Sequence, residues 1–185
     1  FIFNEGFLVN KDKYSQGSNQ LDTSQLELDA GLEGGSKVFE PASIELVRQV
    51  TPYQFNTPDY LPFELIGDPE VTIKDWDGTR KNVFLEINYS SEEPGSFINI
   101  EISNFKNIVN STIETSSYQE VIQLDRSLEA YYQQNENVSM LSWIDGKIEY
   151  TVNYFLFKKD GVQSQSDSEL IKEDLIRMAE SMQSQ

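Results

Sequence analysis

The sequence predicts an α+β fold: an antiparallel β-sheet meander covered on one face by a C-terminal amphipathic helix and a short N-terminal helix. Three observations carry this expectation. From residue 65 onward apolar residues recur with period two, the spacing of strands with one buried face. Asp77-Gly78, Pro94-Gly95 and Asp145-Gly146 interrupt that alternation, and such pairs supply the backbone angles of hairpin turns. The closing segment "EDLIRMAESM" changes period, placing Leu175, Met178, Ala179 and Met182 on one helical stripe.

Residues 1–41 are expected to form an arm or linker. Its stretch 11–36 is rich in Ser, Gln, Asp and Gly and lacks sustained periodicity. Within the arm, "QLELD" and "FIFNEGFLVN" each alternate enough for a short strand. Residues 42–185 are expected to form one α+β domain. "ASIELVRQV" (42–50) sets Ile44, Leu46, Val47 and Val50 ahead of a proline-rich turn, which favours a short helix over a strand. In "TPDYLP", Pro58 and Pro62 fix the backbone, and Tyr60 and Leu61 are expected to pack on the sheet edge, locking the first strand.

The strands follow. In "NVFLEINYS", Val83, Leu85, Ile87 and Tyr89 alternate with Asn82, Phe84, Glu86 and Asn88. In "FINIEIS", Ile98, Ile100 and Ile102 alternate with Asn99 and Glu101, and "SEEPG" links the two as a hairpin. "EVIQLD" and "LEAYYQQ" are two further strands, and "MLSWIDGKIEYTVNYFLF" is a hairpin that lines Ile148, Tyr150, Val152, Tyr154 and Leu156 on one face. Ile171 either joins the terminal helical stripe or ends a strand-like segment before it, and "QSQSDS" holds the N-cap candidates. One apolar face needs one cover, so the three isoleucines should face the same side as the helix.

Composition narrows the function. The chain has 185 residues, 38% of them hydrophobic and 12% aromatic, enough to enclose a core. Acidic residues number 31 against 14 basic ones, a formal charge of −17. That field repels phosphate backbones and anionic lipid surfaces, so nucleic acid is not expected as a partner. With no cysteine, thiol nucleophiles, disulfides and thiolate zinc sites are excluded, and with no histidine the commonest general base and transition-metal ligand are missing. No cofactor or metal is expected. No apolar run reaches the roughly twenty residues that span a bilayer. The start at "FIFNEG" without methionine is expected of a fragment cut from a longer precursor, whose missing part would have held any signal peptide or anchor.

Candidate chemistry is sparse. Asp75 and Asp77 begin like a calcium loop, but the full ligand spacing and the bidentate glutamate are absent. The pairs Glu92-Glu93 and Glu173-Asp174 read as solvated faces, because adjacent residues on a strand diverge and surface helices commonly carry such pairs. A serine nucleophile without histidine would need a lysine base, and no S-x-x-K pair is expected. "NYS", "NST" and "NVS" match the glycosylation pattern, a short match common by chance. The aromatic residues Tyr60, Trp76, Trp143 and Tyr150 remain as candidates for a ligand platform, with Trp143 expected to be buried beside its turn.

The combination of "TPDYLPFELI", "VFLEINYS", "LSWIDGKIEYTV" and "LIKEDLIRMAESM" resembles a bacterial domain of unknown function, family four-three-six-seven, over residues 42–183. Pro58, Tyr60, Leu61 and Pro62 correspond to the family's P-x-Y-L-P segment; Trp143, Gly146 and Tyr150 to its hairpin; Ala179, Glu180 and Ser181 to its terminal helix. Phe63-Glu64 departs from the family's Gly-Tyr, and residues 1–41 match nothing in it. The resemblance implies an extracytoplasmic C-terminal domain of a membrane-anchored or secreted Gram-positive protein, some relatives being joined to anti-sigma factors or sporulation-associated lipoproteins.

The expected function is a non-catalytic sensing or interaction domain with a protein, peptide or lipid partner at the cell envelope, reaching the membrane only through a missing anchor. The alternative is a carboxylate-dependent hydrolase acting on an envelope polysaccharide. Two facing carboxylates in a cleft would favour the enzyme; an apolar groove without perturbed acids would favour binding.

Overall fold

The computed structural model describes residues 19–31, 33–92, 95–157 and 165–183. The strand expected within residues 1–10, Pro94 of the second expected hairpin turn and the N-cap of the terminal helix lie outside them. The architecture is α+β: a nine-stranded antiparallel sheet with three helices.

Two meanders build the sheet. The first comprises β1 (Leu28–Gly31), β2 (Lys37–Phe39), β3 (Glu70–Asp75), β4 (Val83–Ser90) and β5 (Ser96–Ser103); the second comprises β6 (Glu120–Gln123), β7 (Glu129–Gln134), β8 (Val138–Asp145) and β9 (Ile148–Leu156). Their spatial order is β1-β2-β3-β4-β5-β9-β8-β7-β6. The single meander expected from short turns is therefore split. After β5 the chain passes through a helix, α2 (Ile108–Glu114), to the far edge and works back until β9 pairs with β5, from Ser96↔Leu156 to Ser103↔Glu149. No sequence reading anticipated α2. Its isoleucines, valine and threonine are poor helix formers, and its first turn is held from outside by the Glu149 carboxylate on β9.

Alternation places one set of side chains on a covered face. Ile73, Leu85, Ile100, Val152 and Leu141, one from each of five successive strands, are all fully buried there. Ile98 and Ile102 flank Ile100 on the same face, opposite Tyr154 and Tyr150. The short helix α1 (Ile44–Val50) packs against β3 and the long helix α3 (Gln165–Ser181) against β8 and β9. Ile171 joins the α3 stripe, buried with Leu175, Met178, Ala179 and Met182. Ser43 caps α1, its hydroxyl accepting from the Leu46 N–H at 3.3 Å.

The "TPDYLP" stretch crosses this face instead of packing on the sheet edge as expected. The Asp59 N–H donates to Ser181 Oγ at 3.1 Å, and the Tyr60 hydroxyl donates to Asp174 Oδ1 at 2.6 Å. The Arg177 guanidinium lies 3.9 Å from the Tyr60 ring centre. Phe63 meets Tyr154 of the central strand edge-on, centroids 6.2 Å apart. A half-buried phenol needs a partner for its hydroxyl, and α3 offers Asp174.

The described part of the arm belongs to the same sheet. Leu21 is buried, its N–H donating to Arg80 O at 2.7 Å, and β2 pairs with β3 at Lys37↔Asp75 and Val38↔Lys74. The boundary expected after residue 41 thus falls inside a paired structure. The turn at Asp77-Gly78 is a seven-residue loop instead of a tight hairpin, closed by Trp76 N–H to Asn82 O at 2.8 Å. A Cβ on Gly78 would sit 2.5 Å from Gly35 O, so this loop can rest on the 33–35 turn only with glycine there.

Candidate functional site

Three of the four aromatic candidates lie on the covered face and are packing residues. Trp143 is 1% exposed and stacks on Tyr150 with ring centres 5.2 Å apart. The Tyr150 hydroxyl accepts the Asn56 N–H at 3.3 Å, and burial pushes its pKa up to about 12. Tyr60 is held in the α3 contact described above. Trp76 alone reaches the open face, 42% exposed, with Lys74 Nζ 4.4 Å from its ring centre and Phe84 and Phe105 beside it.

The acidic candidates form no catalytic pair. Asp77 closes its own loop: its Oδ1 accepts from Thr79 Oγ1 at 2.6 Å and from the Thr79 N–H at 3.0 Å, which holds the carboxyl below its ordinary range. Asp75 is buried on the covered face in phase with Val71 and Ile73, taking the Arg80 N–H at 3.0 Å. Glu92 is exposed and Glu93 lies outside the described residues. Asp174 is the Tyr60 acceptor. No group of three or more potential metal-binding side chains occurs among the described residues. One serine does carry the S-x-x-K spacing, Ser103 with Lys106, against the expectation of none. That spacing aligns two side chains on a helix, whereas Ser103 ends β5, is buried, and donates to Phe105 O at 3.2 Å.

The sheet's open face is the part that sequence reasoning treated as plainly wet. Strand register arranges it in rows across β4, β5, β9 and β8. One row reads Asn88, Asn99, Asn153, Met140; the next reads Glu86, Glu101, Thr151, Ser142. On one side stands Phe97 stacked on Phe155, centroids 4.2 Å apart and planes 5° apart, with Phe157 next to them. On the other side sits α2. Glu149 accepts from the Asn107 and Val109 N–H groups at 3.0 and 2.9 Å and from the Asn110 amide. A carboxylate at a helix start satisfies donors that have no intrahelical partner.

These walls and rows enclose a trough of about 490 Å³. Its floor is a bonded network. Asn99 Nδ2 donates to Glu86 Oε1 at 3.0 Å and to Asn88 Oδ1 at 2.9 Å, while Asn153 Nδ2 donates to Asn99 Oδ1 at 3.1 Å. Thr151 and Ser142 pair through their hydroxyls at 3.0 Å. Burial, and then the neighbouring Glu86 charge, raise the Glu101 carboxyl above its ordinary pKa, partly offset by a hydrogen bond with Asn153.

Each polar residue here was visible as the out-of-phase half of an alternating strand. What the sequence did not show is that β5 and β9, far apart in the chain, set Asn99 beside Asn153 and Glu101 beside Thr151. No family model, characterised protein or solved structure matches this chain.

Proposed function

We propose that this chain is a non-catalytic sensing or interaction domain working outside the membrane, and that it holds a protein, peptide or lipid partner on the open face of its sheet. The observation that carries the reading is the trough itself. It joins apolar walls to a polar floor at the centre of a rigid sheet, the combination expected of a recognition site. The acidic excess disfavours nucleic acid. The resemblance in residues 42–183 to extracytoplasmic domains supports the location, with any membrane attachment supplied by another part of the protein.

The alternative, a carboxylate-dependent hydrolase of an envelope polysaccharide, is favoured by one observation: Glu86 and Glu101 are directly opposite on adjacent strands and Glu101 is raised. Glycoside hydrolysis, however, needs two carboxyls flanking the scissile bond, roughly 5–10 Å apart. Opposed residues on one sheet face point the same way, with Cβ atoms about 5 Å apart, so both would meet a substrate from the same side. Binding is therefore the better reading. Incubation of the purified protein with peptidoglycan fragments, lipid vesicles and envelope proteins, following turnover alongside binding, tests it. Glycan hydrolysis that vanishes in Glu101→Gln would replace it with the enzyme.

A further inference from the structure

Building on the binding-module reading, we infer that the trough receives a lysine or arginine side chain from a peptide segment of a protein partner. The cation sits between Glu86 and Glu101 on the floor, and its methylene stem lies along Phe155 and Met140.

Four features of the site select this ligand chemistry. The two carboxylates oppose each other on adjacent strands, an arrangement that repels unless a cation intervenes. No described residue forms an ion pair with either carboxylate: the ion pair between described residues is Lys172 with Glu120, on the covered side where α3 packs. The donors of the buried amides are already spent, since Asn99 serves Glu86 and Asn88, and Asn153 serves Asn99 and Glu101. The floor therefore offers the carboxylate oxygens as acceptors and calls for a ligand rich in donors. An ammonium has three N–H donors and a guanidinium five, with no acceptor in either, whereas a sugar hydroxyl brings a single donor and acceptor lone pairs as well. The walls are apolar, with Ile108 39% exposed at the α2 side, and basic side chains lay their stems on apolar surface while the head stays polar. The formal charge of −17 raises the local concentration of such a ligand.

The test uses a blocked tetralysine peptide, the same peptide acetylated on its ε-amines, a neutral N-acetylglucosamine tetramer and vesicles with ethanolamine headgroups. Titrations are followed by amide NMR and calorimetry. The tetralysine should shift the signals of Asn88, Asn99, Glu101 and Asn153, and the acetylated form should not. The Glu86→Gln/Glu101→Gln protein should bind it about tenfold or more weakly, the loss of one or two charge-assisted hydrogen bonds. Asp29→Asn/Glu45→Gln removes the same charge from exposed sites outside the trough and should weaken it by less than about threefold, as expected of a screened long-range effect. Equal weakening in both variants would reduce the effect to the diffuse field and overturn the inference, as would unmoved trough signals. Saccharide or vesicles perturbing the trough where tetralysine does not would overturn the ligand class while leaving the binding-module reading in place. Saccharide hydrolysis lost in Glu101→Gln would remove both.

Discussion

Two tryptophans and one glutamate show how far a residue type speaks for itself. Trp143 and Trp76 both flank Asp-Gly turns, yet one is buried against Tyr150 and the other stands 42% exposed on the open face. Phase decided this: Trp143 is in step with Leu141 on the covered face, while Trp76 follows the buried Asp75 and so points the opposite way. Trp143→Ala should cost about 3–5 kcal/mol, the range for truncating a large aromatic in a core. Trp76→Ala should cost well under half of that. Thermal melts of the two variants check the contrast, and equal losses would contradict it. Glu101 carries the opposite sign. Its folded pKa is raised, so the proton is held more tightly in the folded protein; the stability this provides is full in acid, below the unfolded pKa, and is lost as pH rises through the folded pKa. At neutral pH Glu101→Gln should therefore stabilise the protein, by roughly 0.2–1 kcal/mol for relief of a like-charge cross-strand pair. Denaturant midpoints measured from neutral to acid pH should show that gain shrinking as pH falls. A gain that persists unchanged in acid would assign it to packing instead. A residue that lowers stability in place is the kind retained for binding.

Elements were legible wherever a local pattern matched a local contact. The period-two strands and the α3 stripe follow from amphipathicity, and α1, whose apolar spacing is mixed, follows from the proline-rich turn it leads into. The role of "TPDYLP" was only half legible, because proline and tyrosine identify a stiff, half-buried segment but not its partner. That partner lies more than one hundred residues away, at Asp174. Tyr60→Phe should cost about 1 kcal/mol, the usual net worth of one hydrogen bond, and Asp174→Asn should cost a similar amount. Because both changes break the same contact, a double-mutant cycle should return a coupling of similar size. Additive losses would mean the two side chains stabilise the fold independently. Helix α2 escaped notice for the complementary reason. Its sequence reads as a β-rich linker, and the feature that holds its first turn, Glu149, belongs to β9.

At the scale of the whole molecule, the seam between β5 and β9 governs both stability and the site. It joins two meanders that could each have closed as a small open sheet, and it carries one continuous row of buried residues from Val71 through Ile87, Ile100 and Val152 to Leu141. The same pairing aligns Asn99 with Asn153 on the reverse side, so the trough exists only once the halves are docked. Nothing local specifies such a pairing, which is why neither the strand order nor the trough was visible in the sequence. One buried cluster drawn from both meanders, from Val71 in the first to Trp143 in the second, should make them unfold as a unit. The two tryptophans provide the means to see it, since Trp76 reports on the first meander and Trp143 on the second. In the Trp76→Phe protein, Trp143 fluorescence and far-UV circular dichroism should give coincident urea transitions; in Trp143→Phe, Trp76 fluorescence should coincide with circular dichroism in the same way. The comparison is made within each variant, so a shift in its own stability does not affect the result. A fluorescence transition that separates from the dichroism in either variant would mean that one meander melts while the other persists, and that the seam is a docking surface between two independently stable halves.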